Sequence, residues 1–415
     1  MLLSPLSYYL YQKKTNGVWI DAMLKSFCNH PEFEIAVATT ADIHETVKVE
    51  ENGVIYYALP SQPPLLYNEH KTENILAWKN LFSEEHFDLI VVWGTEFSHG
   101  LCALREARRI PSVIYMQGYV GSIARHYLAG ITHRELQKSL TFRDIVKRDS
   151  IERQQKRYYR NAEKEKEMLS LSKNVICEND WCENSLRAAV DGLRVFRCPL
   201  SINRVFADYR WEAQKTEPYS IISNASGYPL KGQHMLFRAV ALLKKKHPAL
   251  KLYIPGFSAI NDKSFAGKLR KRGYTKYLEK LIKELQIEEN IVWLGSLTQE
   301  ELACRYAKTR IFVLCSSIEN HSSSLKEAMM VGMPCVASAV GGVPEYVTHG
   351  NNAFLYRFGE YDVMASFIEK LFENDSLAAE LSERARVSMR SIHSEEEINR
   401  IMSEIYRDTV NRETI

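Results

Sequence analysis

The run Ile311-Phe-Val-Leu-Cys315 leads into Ser316-Ser-Ile-Glu319-Asn-His-Ser322-Ser-Ser324-Leu-Lys-Glu327-Ala-Met-Met-Val-Gly332, followed by Met333-Pro-Cys335-Val-Ala337-Ser-Ala-Val-Gly341-Gly342-Val-Pro344-Glu345. The apolar, β-branched run reads as a strand and the serine-rich turn as a helix start. Gly332 stops that helix, and Cys335 to Ala337 is a second strand, which completes a βαβ unit. In such a unit ligands bind beyond the carboxyl ends of the strands, where turn amides and the positive end of the helix attract an anion. Ser322, Ser323 and Ser324 stand at that point, so a phosphate is the fitting guest. Glu319 and Glu327 bracket the turn. A carboxylate repels the anion itself but can accept hydrogen bonds from hydroxyls attached to it, and a nucleotide sugar carries hydroxyls on both sides of its diphosphate. Ser324-Leu-Lys-Glu327 also fits a capping box, in which Glu327 only closes the helix end.

The chain has 415 residues, 45% of them hydrophobic, enough for two domains with a core each. A formal charge of +3 with 25% charged residues gives no footprint for nucleic acid. The longest apolar runs, such as Leu89 to Trp93, are strand-sized and far short of the ~20 residues of a spanning helix. No export signal is read at the start, so the expectation is a soluble, cytoplasmic protein. Eight cysteines, Cys28, Cys102, Cys177, Cys182, Cys198, Cys304, Cys315 and Cys335, include no Cys-x-x-Cys and read as reduced core residues.

Strand-like runs at Glu34 to Ala38, Val54 to Ala58, Leu89 to Trp93 and Ser112 to Met116 alternate with helical stretches at Trp19 to Phe27 and Gly100 to Ala107. The alternation predicts a parallel sheet wrapped by helices. Thr132 to Ser172 reads as one long charged helical region, followed by strands at Val175 to Cys177 and Val195 to Arg197. Pro199 to Pro218 lacks periodicity and reads as a connector. A second alternating set follows at Tyr219 to Ser223, Leu250 to Ile254 and Ile291 to Leu294. The predicted domains are 1–200, a connector at 201–217, 218–392, and a final helical segment at 393–415.

Glu319, seven residues, then Glu327, followed by Ala-Met, a Gly-x-Pro step, a strand and Gly341-Gly342-Val-Pro-Glu345, resembles the donor-site signature of family 4 glycosyltransferases. The resemblance is specific over residues 219–356 and fades toward the amino terminus. It implies an α/β protein of the GT-B fold, with two Rossmann-like domains facing across a cleft and a C-terminal helix crossing back to the first. It also implies retaining transfer from a nucleoside diphosphate sugar. Family members usually open with an apolar strand before the loop holding a glycine at the place of Gly17, whereas only Met1 to Ser4 precedes Pro5 here. The expectation is a trimmed start.

Carried over residue by residue, the resemblance gives Lys231-Gly232 the pyrophosphate, Glu319 the donor sugar as the catalytic-site carboxylate, and Glu327 both ribose hydroxyls. Ser322, Ser323 and Ser324 would donate to the β-phosphate, and Gly341 and Gly342 would keep the next loop low; a tight strand-to-helix turn explains these glycines equally well. In the first domain Gly17, Gln117, Gly118 and His126 fall on the acceptor or sugar side. Many members have a histidine where Gln117 stands and an arginine where Ala225 stands. Gln117 exchanges no proton, and the loss of the arginine leaves one cation fewer on the diphosphate.

No Asp-x-Asp pair occurs, and the resemblance implies no metal and no cofactor beyond the nucleotide sugar. Residues 133–160 interleave Lys and Arg with Leu, Phe, Ile and Tyr. Such a face suits peripheral contact with an anionic membrane carrying a lipid-linked saccharide acceptor. It equally suits a solvated helix, because Glu135, Asp144, Asp149 and Glu152 are mixed in. Surface polysaccharide assembly is the implied setting. A glycoside hydrolase is disfavoured because the two carboxylates sit at one helix start and do not flank a glycosidic oxygen. A nicotinamide dehydrogenase is disfavoured because no Gly-x-Gly-x-x-Gly follows a predicted strand. A nucleotide-sugar epimerase of the same fold and a non-catalytic partner of a glycosyltransferase remain as alternatives.

Overall fold

The structure is a computed structural model that describes residues 32–61, 72–224, 227–256, 270–392 and 394–413, together with Leu10, Met23, Leu24, Phe27, His30, Ile260 and Gly267. The expectations for the chain start, for Gly17 and for Ala225 lie outside the described residues. Contacts divide the chain into two units. The first comprises 1–120, 160–202 and 393–415, and the second 121–159 and 203–392.

In the first unit β1 (Ile35–Ala41), β2 (Val47–Glu51) and β3 (Val54–Pro60) form a sheet in the order β1-β3-β2. The predicted all-parallel sheet needs correction here, since β2 runs antiparallel to β3. The cause is Asn52-Gly53, both at positive φ (53° and 75°), the backbone of a two-residue hairpin turn whose twist matches the flanking strands. β4 (Ile90–Trp93), β5 (Ser112–Tyr115), β6 (Asn174–Cys177) and β7 (Arg194–Arg197) form a second sheet in that order, parallel throughout. Its central strands β5 and β6 are buried along their whole length, as strands covered on two faces are, while the edge strand β7 (Arg-Val-Phe-Arg) is part-exposed. Ile114, Val175 and Cys177 pack against Leu101, Met168, Cys182 and Leu186. Val113, Tyr115 and Ile176 pack against Ile398, Met402 and Ile405 of the helix Glu395–Glu413. The last helix therefore returns to the first unit, and Tyr115 is satisfied in this core by donating to the Cys198 carbonyl at 2.7 Å.

The second unit holds six parallel strands in the order β10-β9-β8-β11-β12-β13. They are β8 (Glu217–Ile222), β9 (Lys251–Pro255), β10 (Ile291–Gly295), β11 (Thr309–Leu314), β12 (Cys335–Ser338) and β13 (Phe354–Tyr356). The chain winds outward one way from β8 and the other way from β11. The adjacent ends of β8 and β11 are thus the topological switch point, where open α/β sheets bind ligands.

Thr132 to Ser172, predicted as one helical region, is three helices: His133–Ser139, Phe142–Val146 and Ile151–Leu171. Thr132 with Glu135 and Thr141 with Asp144 make two complete capping boxes, and each starts a new helix. The spacing placed 121–159 with the first domain, whereas in the structure these residues pack with the second unit. Leu140 accepts from Lys276 Nζ at 2.8 Å, and Glu135 accepts from Tyr277 Oη at 3.2 Å. All seven described cysteines are free thiols, and six of them are buried.

Candidate functional site

The second unit builds its site from three loops at the carboxyl ends of β8, β11 and β12. After β8, Pro229–Lys231 make one 3-10 turn, and Gly232 (φ 64°) starts the helix Gln233–Leu243. A Cβ on Gly232 would overlap the Cys315 carbonyl oxygen, so glycine is the residue that lets the two strand ends meet. The contact is tied by Ser317 N donating to Leu230 O at 2.7 Å and by the Cys315 thiol donating to Lys231 O at 3.2 Å.

Lys231 Nζ then reaches Glu319 Oε1 at 2.5 Å. Ser316 Oγ donates to the same oxygen at 2.6 Å, which leaves Oε2 of Glu319 available to a further donor. Burial works against the Lys231 charge, but the adjacent Glu319 outweighs it and holds the lysine above its ordinary range. Gly341 (φ 53°) follows β12, and a Cβ there would overlap the Glu319 carbonyl oxygen. Gly342 N donates to that carbonyl at 3.3 Å. The glycine pair therefore serves to seat the β12 loop on Glu319.

Ser322 caps the helix Ser323–Val331, its hydroxyl accepting from Leu325 N at 3.4 Å, and Gly332 (φ 88°) closes the helix. The cap position excludes the capping-box role for Glu327, which lies two residues beyond N3. No partner pairs with its carboxylate among the described residues, and burial alone pushes it up to about 8. Tyr306, whose hydroxyl accepts from Asn224 Nδ2 at 2.8 Å, is close enough to feel the Glu327 charge. The arrangement is a helix N-terminus with free amides, one lysine, and two carboxylates of different character. Glu319 is ion-paired. Glu327 is half-buried and unpaired.

In the first unit Gln117 and Gly118 follow β5, beside a residue the spacing did not single out. Glu96, in the loop after β4, receives backbone amides of Thr95, Glu96 and Gly118, yet burial still pushes its carboxyl up to about 7. Gly94 (φ 82°) lets this happen, because a side chain there would overlap Glu96 Oε2 and come within 3.2 Å of the Gln117 side chain. A carboxylate at a strand exit is the same signal that marks Glu319, and it was there to read in Trp93-Gly-Thr-Glu96. His126, expected in the first domain, lies in the second unit; it ends the helix Val120–His126 with its ring exposed and Nδ1 2.9 Å from Ser122 O. Its carbonyl accepts from Ser317 Oγ at 3.0 Å, so its contact with the donor-side loop is through the backbone.

Among the described residues, His247, Glu369 and Glu373 bring three possible metal donors within 4.8 Å of one another. They lie beside Tyr219 at the start of β8, the opposite end of that strand from Lys231, and Lys246 already pairs with Glu369 at 2.7 Å.

Residues 206–388 match the family model of glycosyl transferases group 1. Over 130 residues the chain is 32% identical to N-acetyl-alpha-D-glucosaminyl L-malate synthase of Bacillus anthracis, covering 31% of this chain and 34% of that protein. Over 171 residues it is 28% identical to poly(ribitol-phosphate) alpha-N-acetylglucosaminyltransferase of Staphylococcus aureus, covering 41% and 31%. The aligned stretch thus spans only a third or so of these relatives' length. The whole architecture is similar to sucrose-phosphate synthase of Thermosynechococcus elongatus, with TM-score 0.72 at 16% identity over 94% of this chain and 92% of that one. It is also similar to Anabaena HepE in complex with UDP-glucose, with TM-score 0.67 at 16% identity over 94% and 96%. Residues 206–388 are thus similar to the group 1 glycosyl transferases, and the chain has the GT-B fold.

Proposed function

We propose that the protein is a retaining glycosyltransferase of the family 4 type, moving a sugar from a nucleoside diphosphate sugar to a glycan or lipid-linked saccharide. One observation carries this reading. An ion-paired carboxylate, Glu319 with Lys231, and an unpaired one, Glu327, flank the amide-rich start of the helix Ser323–Val331. A diphosphate at that helix end takes the amides and Lys231, Glu327 accepts from ribose hydroxyls, and Glu319 Oε2 accepts from the sugar.

In transfer, the bond from the anomeric carbon to the diphosphate oxygen breaks, and the acceptor oxygen bonds to that carbon on the same face. The acceptor's proton passes to the leaving diphosphate oxygen. Lys231 and the helix amides stabilise the charge growing on the diphosphate, so they lower the barrier as well as bind. This division of labour asks for no bridging metal. The implied setting is surface polysaccharide assembly in the cytoplasm, at the inner face of the membrane.

The test is proton NMR of the purified protein with a panel of nucleoside diphosphate sugars and saccharide acceptors, with EDTA present. An α-linked donor should yield an α-linked product, and Glu319→Ala should abolish turnover. A β-linked product would overturn retention. Donor binding without any turnover would assign the chain a non-catalytic partner role.

A further inference from the structure

The helix Phe142–Val146 exposes Phe142 (75%), Ile145 (63%) and Val146 (59%), the densest run of exposed large apolar side chains among the described residues. Its orientation is fixed from beneath. Thr141 and Asp144 cap each other, Asp144 is buried, and Gly273 of the helix Gly273–Leu285 has no side chain to press on Asp144 Oδ2, which a Cβ would meet at 2.8 Å. With its polar side held down, the helix turns its apolar residues outward.

The charges around it are sorted in the same way. Each acid that made this segment look balanced has a hydrogen-bond or ion-pair partner within the second unit. Glu135 accepts from Thr132 N at 2.9 Å and from Tyr277, and Asp144 accepts from Thr141 N at 3.2 Å. Asp149 pairs with Arg143 at 2.9 Å and with Arg157, and Glu152 pairs with His133 at 2.7 Å. Arg134, Lys138, Lys147 and Arg148 remain exposed, and no carboxylate among the described residues pairs with them. The exposed side chains of this stretch that lack a partner carboxylate or apolar cover are therefore cationic or apolar, although the sequence through it is mixed.

We propose that this face docks on an anionic lipid bilayer, with Phe142, Ile145 and Val146 entering the headgroup layer and Arg134, Lys138, Lys147 and Arg148 meeting lipid phosphates. Apolar insertion beside unpaired basic residues is the chemistry of peripheral membrane binding, and three bare apolar side chains on a five-residue helix are otherwise a solubility cost. The inference deepens the reading of a lipid-linked acceptor, but its test does not depend on transfer.

The purified full chain is sedimented with vesicles of phosphatidylglycerol and phosphatidylcholine, and separately with phosphatidylcholine alone. The protein should partition to the anionic vesicles and leave them at high salt. The triple variant Phe142→Ser, Ile145→Ser, Val146→Ser should lose about tenfold or more in partitioning, and Lys147→Glu with Arg148→Glu should lose a similar amount. Thermal unfolding of each variant checks that it is folded. Wild-type protein that stays in the supernatant of anionic vesicles overturns the proposal. So does a wild-type dimer in light scattering that the triple variant converts to monomer, which would give the face to a second copy of this chain.

Discussion

Lys231 Nζ and Glu319 Oε1 lie 2.5 Å apart across a sequence separation of 88 residues, joining the loop after β8 to the loop after β11 at the switch point of the second sheet. On the proposed function, a diphosphate at the helix start would compete with Glu319 for that ammonium. Lys231→Ala should weaken donor binding about 10- to 100-fold, the equivalent of the ~1.5–3 kcal/mol of a hydrogen bond to a charged group. Glu319→Gln should bind donor nearly as wild type and slow turnover by about 100-fold or more. Calorimetry and initial rates separate the two, and equal losses of affinity in both variants would refute this division of roles.

Gly232→Ala should cost at least ~2 kcal/mol, because the new Cβ meets a backbone carbonyl that cannot move aside and φ is positive. Gly350 has similar φ, 73°, and open space where a Cβ would stand, so Gly350→Ala should cost only about 1 kcal/mol. Urea midpoints of the two variants measure the difference.

The stability of the unliganded protein should fall as pH rises from about 6.5 to about 8. Glu96 and Glu327 are raised by burial from 4.5 to about 7 and about 8, so above 4.5 the folded state holds protons that the unfolded state releases, and stability drops with pH. His99 and His234 are lowered by burial from 6.5 to about 4. Between those values the unfolded state holds more protons, and stability climbs with pH. The two effects oppose each other up to 6.5, above which only the carboxyls still titrate. Glu96→Gln combined with Glu327→Gln should flatten the decline in a series of melts.

Donor affinity should rise over the same pH range. On the proposed role, ribose hydroxyls would donate to an ionised Glu327, so binding would release a proton from a carboxyl whose free value is about 8. Calorimetry in buffers of different ionisation heat should detect that proton at pH 7, and Glu327→Gln should abolish both the proton and the pH slope.

Much of the second unit was legible in the sequence because each step carried its own local signal. Gly332 stops the helix where φ 88° demands glycine, and Cys335–Ser338 pairs with β11 as its apolar run implies. Glu327 could be read two ways from spacing alone, because Ser322 and Ser324 are both acceptable caps and only the backbone chooses between them. The hairpin at Asn52-Gly53 had a clear turn signal that alternation with helices concealed. Glu96 was passed over because its character comes from burial and amides supplied by another strand's loop, neither of which spacing records. The face at Phe142 was ambiguous for a similar reason, since composition counts Glu135, Asp144, Asp149 and Glu152 but does not show where their charges go.

Thermal unfolding of the purified protein with a panel of nucleoside diphosphate sugars, alongside Glu327→Ala, tests the donor site most directly. A ligand that binds only the folded state raises the transition in proportion to its affinity. One donor should shift wild type by several degrees and leave Glu327→Ala unmoved. An absence of any shift in wild type, or an equal shift in the variant, would contradict the assignment of this site to a nucleotide sugar.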